Sequence, residues 1–246
     1  MPPANSSDGQ KTGNRLLDAL SPRALAGLRP HFETVPLPIG HVLHEPRARA
    51  DHVFFPTSGV ISIIVMTADG MAVEMAMAGN EGMFSVSVIL EDDRPSQTAI
   101  VQLAGSAVRI RSGEMKQAVA EDADIRHLLL RYAQVTLSTA AQAAACNRLH
   151  LLEQRCARWL LSAQDRAGSD TFHITHEFLA TMLGVRRPGV TVAVQNFRDS
   201  GLITYSHGTM TILNREDLEK ASCECYRTIQ DEFARLLGPA IGAGNS

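Results

Sequence analysis

Two adjacent arginines, Arg186 and Arg187, precede Pro188 and Gly189 inside FLATMLGVRRPGVTVAVQNFRDSGLI, residues 178–203. Paired cations at the entrance of a helix suit an anionic partner. With the free N–H groups of a first helical turn, two guanidinium groups can hold phosphate oxygens, and an arginine near the helix tip can grip O6 and N7 of a guanine. Thr175 is a suitable N-cap for a first helix with Phe178, Leu179, Met182 and Leu183 on its buried stripe, and Gly184 suits a left-handed ending. Pro188 is tolerated in the first turn of a second helix, which buries Val190, Val194 and Phe197 and leaves Thr191, Gln195 and Arg198 on its open face. The runs 201–205 and 209–213, on either side of Ser206-His207-Gly208, predict a short hairpin. Helix, tight turn, helix and hairpin is the order of a winged helix-turn-helix. The residues expected to meet a duplex are Thr175, Arg186, Arg187, Pro188, Gly189, Thr191, Gln195 and Arg198. A solvated surface turn has the same local pattern, so the segment alone leaves both uses open.

The other residues with chemical reach are cysteines and histidines. Cys146, Cys156, Cys223 and Cys225 fall late in the chain without the dense spacing of a disulfide scaffold, so reduced thiols are the default. Cys223-Glu224-Cys225 has no second pair and no histidine cluster beside it to complete a zinc site, and on a helix its side chains would diverge. The expected set of metal ligands is therefore empty. Cys146 reads as a small packing residue, and a redox role for any of the four thiols is left open. His41, His44 and His52 fall among predicted strands and leave haem ligation open by ligand count, although a histidine on a strand is more commonly a half-buried polar residue. The His-x-His, Glu and His arrangement of a cupin metal centre does not occur there, which argues against an enzyme of that kind.

Residues 36–111 read as short apolar and β-branched runs cut by Gly, Pro and Asp, the pattern of an antiparallel sandwich or barrel, with Asp69-Gly70 as a hairpin turn. From 123 to 146 there is neither Pro nor Gly, and Ile125, Leu129, Tyr132, Thr136, Thr139 and Ala143 recur at steps of four and three. This long helical seam, with the small side chains of STAAQAAA along part of it, is expected to pair two copies of the chain. A further amphipathic helix is predicted at 155–166, with Trp159, Leu160 and Ala163 inward. The 246 residues, 45% hydrophobic, supply core for one large domain or two modest ones. No apolar run reaches membrane length and no basic leader precedes an apolar core, so a cytoplasmic location is expected. A net charge of −3 argues against coating by nucleic acid while allowing a local basic patch.

In combination, HVFFPTSGVIS, the GNEGM turn, LEQRCARWLL and TMLGVRRPGVTVAVQNFRDSGLI resemble the Crp/Fnr family of bacterial transcription regulators, over roughly residues 31–220. The resemblance implies an α+β chain: an N-terminal antiparallel β-barrel of the jelly-roll, cyclic-nucleotide-binding-like kind, a long dimerisation helix and a C-terminal winged helix-turn-helix. The polar, Pro-, Gly- and Ser-rich ends, 1–14 and 238–246, read as disordered tails by composition; the resemblance implies an effector-sensing barrel with flanking helices at 15–120, the dimerisation helix at 121–149, the DNA-binding domain at 150–222 and a C-terminal helix and tail at 223–246. The partners it implies are double-stranded DNA, read as an inverted repeat by a homodimer, with RNA polymerase a further candidate, and no membrane. The function is regulation of transcription rather than catalysis.

Cyclic-nucleotide-binding relatives hold the phosphate with a Gly-Glu turn and a later Arg-Ser/Thr-Ala; here Glu81 and Thr98 match, Gln97 replaces the arginine, and Arg94 lies three residues earlier. Glu81, Arg94 and Thr98 are the expected effector contacts, with cAMP disfavoured because a neutral amide does not replace a guanidinium on a phosphate. A different small effector is left open. No cysteine precedes Cys146, so an iron–sulfur cluster of the N-terminal type is not expected. At the reading helix, Arg187, Pro188 and Val192 stand where relatives often have Arg-Glu-x-x-x-Arg, so the operator is expected to differ. The competing function is a signalling module that binds a small ligand and a protein partner without reading DNA.

Overall fold

A computed structural model describes residues 11–242. The chain begins with α1 (Arg15–Asp18), α2 (Pro22–Leu28) and a 3₁₀ turn at Arg29–His31. Strands β1 (Glu33–Leu37), β2 (Val42–His44), β3 (His52–Met66) and β4 (Ala72–Ala78) follow, then α3 (Val86–Ile89) and β5 (Thr98–Arg111). Helix α4 (Ser112–Glu121) leads into α5 (Ala123–Leu149) and α6 (Leu152–Ala167). The C-terminal third is β6 (Thr171–His173), α7 (His176–Leu183), α8 (Arg187–Asp199), β7 (Ile203–Ser206), β8 (Thr209–Ile212), α9 (Arg215–Ala221), α10 (Cys225–Leu237) and α11 (Pro239–Gly242).

The N-terminal strands form an antiparallel sheet in the order β1-β5-β3-β4, with β2 also on β5. The described strands do not close into a barrel. Runs that read as separate strands in the sequence are joined in β3, which continues through Gly59 by shifting register against β5 between Pro56 and Ile61. A Cβ on Gly59 would lie 2.5 Å from the Leu103 carbonyl oxygen, and one on Gly105 would lie 2.2 Å from that of Ser58. Only glycine lets the two bent strands approach this closely. Thr67 to Met71 form the expected hairpin turn, with Gly70 at φ +83°.

Two expectations about the chain ends are corrected. Asn14 is fully buried; its side chain caps α1 by accepting from Leu17 N–H and donates to the carbonyls of Pro56 and Gly82 at 2.8 and 2.9 Å. One polar side chain that satisfies three backbone groups anchors residues 11–14, which the polar composition assigned to a tail. Likewise Ile241 on α11 is 2% exposed, packed with Phe233 against the α1 and α5 core. Residues 1–10 and 243–246 of the expected tails lie outside the described residues.

Helix α5 has the predicted position, and its seam is occupied from within the same chain. Ile125, Leu129 and Tyr132 are buried among Leu16, Met83, Val135 and Phe233, and the Tyr132 hydroxyl donates to the Met83 carbonyl at 3.1 Å. Thr136, half-buried, donates to the Tyr132 carbonyl; Thr139 is half-buried and Ala143 buried on the same side, along which α10 packs. The proposed dimer residues therefore face their own domain and α10. A heptad seam needs an apolar partner, and periodicity does not say which one. The opposite face exposes Leu130, Gln134, Leu137, Ala141, Ala144 and Arg148, again at steps of four and three.

The C-terminal core gathers α6, α7, α8 and a three-stranded sheet, β6-β8-β7, around Trp159, Leu160, Leu179, Val190, Val194 and Phe197. It is continuous with Val60, Ile64, Met77 and Leu103 of the first sheet. Among the described residues no helix is long and apolar enough to cross a membrane.

Candidate nucleic-acid interface

The helix pair forms where local chemistry predicts it. Thr175 caps α7, accepting from Phe178 N–H at 3.1 Å. Gly184 ends α7 at φ +63°, and its N–H and that of Val185 bond back to the carbonyls of Thr181 and Ala180. Such a left-handed closure turns the chain within a few residues. Arg186 then occupies the N-cap of α8, without a side-chain cap, and Pro188 lies in its first turn. At Gly189 α8 lies against α6, where an added Cβ would meet the tip of the Leu152 side chain at 2.8 Å.

One face of α8 is open. Arg186, Arg187, Pro188, Thr191, Val192, Gln195 and Arg198 are exposed or half-exposed, while Val190, Ala193, Val194 and Phe197 are buried. Gln195 donates to Asp199 at 2.7 Å and accepts from Arg198 at 3.1 Å, and Thr191 donates to the Arg187 carbonyl at 3.2 Å. Among the described residues, Arg186 and Arg187 have no carboxylate within ion-pair distance, so their donors face solvent. The β7–β8 wing turns at His207 and Gly208, at φ +49° and +81°.

Two parts of this surface were missed in the sequence. His176 stacks on Tyr205 with ring centroids 4.5 Å apart and hydrogen-bonds through Nδ1 with the Thr191 hydroxyl at 3.0 Å, joining α7, α8 and the wing. Burial, followed by the charges of Arg187 and Arg198, holds the His176 pKa below its ordinary value. A histidine at the first position of a helix carries no local signal for this role. Strand β6, which completes the wing sheet by pairing Thr171, Phe172 and His173 with Thr211, Met210 and Thr209, was also missed.

The expected effector contacts are not brought together. Glu81 is 4% exposed, and its Oε1 accepts from Arg166 Nε of α6 at 2.8 Å. It is neither an open ligand contact nor a solvated loop charge. Arg94 lies on another loop and donates to the Arg47 carbonyl at 3.4 Å, and Thr98 is buried at the start of β5. Between β1, β2 and β3 lies an open cleft of about 470 Å³. His41, His44 and His52 line it with Arg49, Phe54 and Arg109. His44 is satisfied by the Pro95 carbonyl, and Arg109 forms a two-bond pair with Glu33 at 2.6 and 2.9 Å.

The thiols divide into two environments. Cys156 lies in the apolar core, and burial pushes its thiol up to about 12, which makes it unreactive. Cys146, His150, Cys223 and Cys225 converge at the far end of α5, with their ligand atoms all within 4.8 Å of one another. The sequence places Cys223 and Cys225 on a helix. In the structure they flank the bend between α9 and α10, so both sulfurs turn the same way.

An open, arginine-tipped second helix, a capped first helix and a three-stranded wing together make a winged helix-turn-helix. Residues 154–221 match the Crp-like helix-turn-helix domain. No curated protein matches the sequence. Among solved structures, the fold is similar to a regulator described as of the crp/fnr family from Eubacterium rectale, with 19% identity, 86% of this chain and 99% of that chain covered, and a TM-score of 0.67. FixK2 from Bradyrhizobium japonicum is similar at 14% identity, covering 78% and 98%, with a TM-score of 0.67. The c-di-GMP-responsive regulator CLP of Xanthomonas campestris is similar at 15% identity, covering 78% and 99%, with a TM-score of 0.64. The chain carries a Crp-like helix-turn-helix and has the fold of the Crp/Fnr regulators it resembles.

Proposed function

We propose that this chain regulates transcription as a homodimer that reads an inverted-repeat operator with two copies of α8. The observation that carries the reading is the exposed face of α8, where Arg186 and Arg187, without carboxylate partners among the described residues, precede Thr191, Val192 and Gln195. The arginines and first-turn N–H groups take phosphates or a guanine edge, Gln195 suits adenine, and Val192, 59% exposed, suits a thymine methyl. Two such helices in successive major grooves are about 34 Å apart. The dimer pairs through the outer face of α5, around Leu130 and Leu137, because the inner face is filled.

The effector site of this reading is the cleft between β1, β2 and β3. The Gly79–Glu81 turn is engaged by Arg166, and Gln97 stands in place of the phosphate-binding arginine, so no cyclic nucleotide is assigned to that turn. The test is selection of duplexes from fragmented genomic DNA, followed by titration of the enriched site against salt with wild type and Arg187→Ala. An inverted repeat, a steep negative salt slope and a slope shallower by about 1 for the variant are the expected results. Binding without sequence preference, or an Arg187→Ala titration superimposable on wild type, overturns the reading in favour of a protein-binding signalling module.

A further inference from the structure

We propose that Cys146, His150, Cys223 and Cys225 bind a zinc ion that ties the end of the long helix to the start of the C-terminal helix. Cys146 lies in the last turn of α5, and His150 follows one turn later as its C-cap residue. Cys223 and Cys225 flank the α9–α10 bend, some 75 residues downstream. The Cys146 and Cys223 sulfurs are 3.5 Å apart, and Cys225 Sγ is 3.5 Å from His150 Nδ1. A tetrahedral zinc with Zn–S bonds of about 2.3 Å has S···S edges of about 3.8 Å, so one ion fits among these atoms with small side-chain adjustments. A multi-iron cluster would need its ligands set farther apart than 4.8 Å allows for these four atoms.

The surroundings favour a bound cation over idle thiols. The three cysteines are 0–3% exposed and form a cluster among themselves instead of dispersing into the apolar core. His150 presents Nδ1 to the sulfurs while its Nε2 meets Glu224 Oε1 at 3.1 Å. A carboxylate on the outer nitrogen of a histidine fixes the tautomer whose inner nitrogen carries the lone pair, the usual support of a metal-ligating histidine. Gln142 Nε2 donates to Cys225 Sγ at 3.0 Å, as suits a thiolate. Three thiolates and Zn²⁺ leave one net negative charge, and Arg158 and Arg155 of α6 lie within Coulombic reach of Cys146 to offset it. Soft sulfur with one imidazole selects zinc over magnesium or calcium. The Cys-x-Cys spacing is shorter than the usual two-to-four-residue spacer, and the interhelical bend supplies the necessary turn.

The test uses the full chain purified under reducing conditions without added metal. Elemental analysis is expected to find one zinc per chain that survives dialysis. Apo-protein titrated with Co²⁺ is expected to develop sulfur-to-cobalt charge transfer and intense tetrahedral d–d bands at one equivalent, both lost when Zn²⁺ is added. Cys225→Ser and His150→Ala are expected to lower the stoichiometry, His150→Cys to retain it, and Glu224→Gln to weaken zinc by roughly 10–100-fold while keeping the spectrum. A weak octahedral cobalt spectrum with no retained zinc overturns the site. So does a deficit of free thiols from a Cys146–Cys223 disulfide, or iron with acid-labile sulfide.

Discussion

Glu74 is expected to make the contact between the sheet and the winged helix depend on pH near neutrality. Its carboxylate, half-buried on β4, accepts from Trp159 Nε1 of α6 at 2.9 Å and from the Ser62 hydroxyl at 2.6 Å. Burial raises its pKa from 4.5 to about 7, against the opposing pull of the Ser62 hydrogen bond and of Arg158 and Arg166, the charged groups of α6 that face it. A raised folded-state value means that the native chain holds a proton that the unfolded chain releases. The contribution is therefore fully present below about pH 4.5 and is lost as pH rises through about 7. At about 1.4 kcal/mol per pH unit of displacement, the loss amounts to at most roughly 3–4 kcal/mol. Trp159 is the sole tryptophan and is 1% exposed, so its fluorescence reports this one contact. Wild type is expected to show an emission transition with a midpoint near 7. Glu74→Gln, which mimics the protonated acid, is expected to abolish that transition and to raise stability to denaturant at about pH 8.5 while leaving it little changed at about pH 5. The reasoning is refuted if wild-type emission is flat through neutrality, or if Glu74→Gln destabilises the chain at the higher pH.

Three further perturbations test other parts of the structure. Arg166→Met removes the hydrogen-bonded partner of the buried Glu81 carboxylate and leaves only the charge of Arg15 nearby, which is expected to cost up to about 3–5 kcal/mol in denaturant unfolding. Adding Glu81→Gln is expected to recover part of that loss, and strict additivity of the two changes would argue against the pair. Leu137→Glu, at a position 65% exposed on the outer face of α5, is expected to leave the fold intact and shift sedimentation to the monomer. Tyr132→Phe, which removes the hydrogen bond to Met83 on the inner face, is expected to cost about 1 kcal/mol with the dimer retained.

The winged helix was legible because its signals are local. Thr175, Gly184 and Pro188 each act within a few residues, and the amphipathic faces of α7 and α8 need only periodicity. What failed depended on distant partners. The α5 seam has the correct residues and period, yet Leu16, Met83 and Phe233 of the same chain cover it. The GNEG turn was recognised, but Arg166, which occupies its carboxylate, comes 85 residues later. Strand β6 was too short at three residues to show alternation, and it exists through its pairing with β8. The Cys-x-Cys pair has no histidine near it in the sequence, and α5 brings His150 to it across the fold.

Helix α6 stands between the sheet and the winged helix and determines what an effector must overcome. Its Trp159 bonds to Glu74 and its Arg166 to Glu81, both on the sheet domain. Its Asp165 pairs with Arg215 at 2.8 Å and accepts from Tyr226 and Gln230, which fixes it to α9 and α10. Rotating the reading helices relative to the sheet without parting α6 from one side requires an internal bend of α6, and its sequence from Leu152 to Ala167 contains neither Pro nor Gly to permit one. Helix α10 also packs along α5 and sends Phe233 into the core of the sheet domain, so a rotation must part α6 either from the sheet, at Glu74 and Glu81, or from α10, at Asp165. Separating Arg166 from Glu81 without new partners costs about 3–5 kcal/mol, or roughly two to four powers of ten in an equilibrium constant. A ligand shifts an equilibrium only by the ratio of its affinities for the two states. If the cleft takes an effector, as proposed, and the sheet-side contacts are the ones that part, that effector must bind the rotated state at least about a hundredfold better, or give Glu81 or Arg166 a new partner. The second route predicts that Glu81→Gln shifts the operator affinity measured without effector toward the effector-bound value.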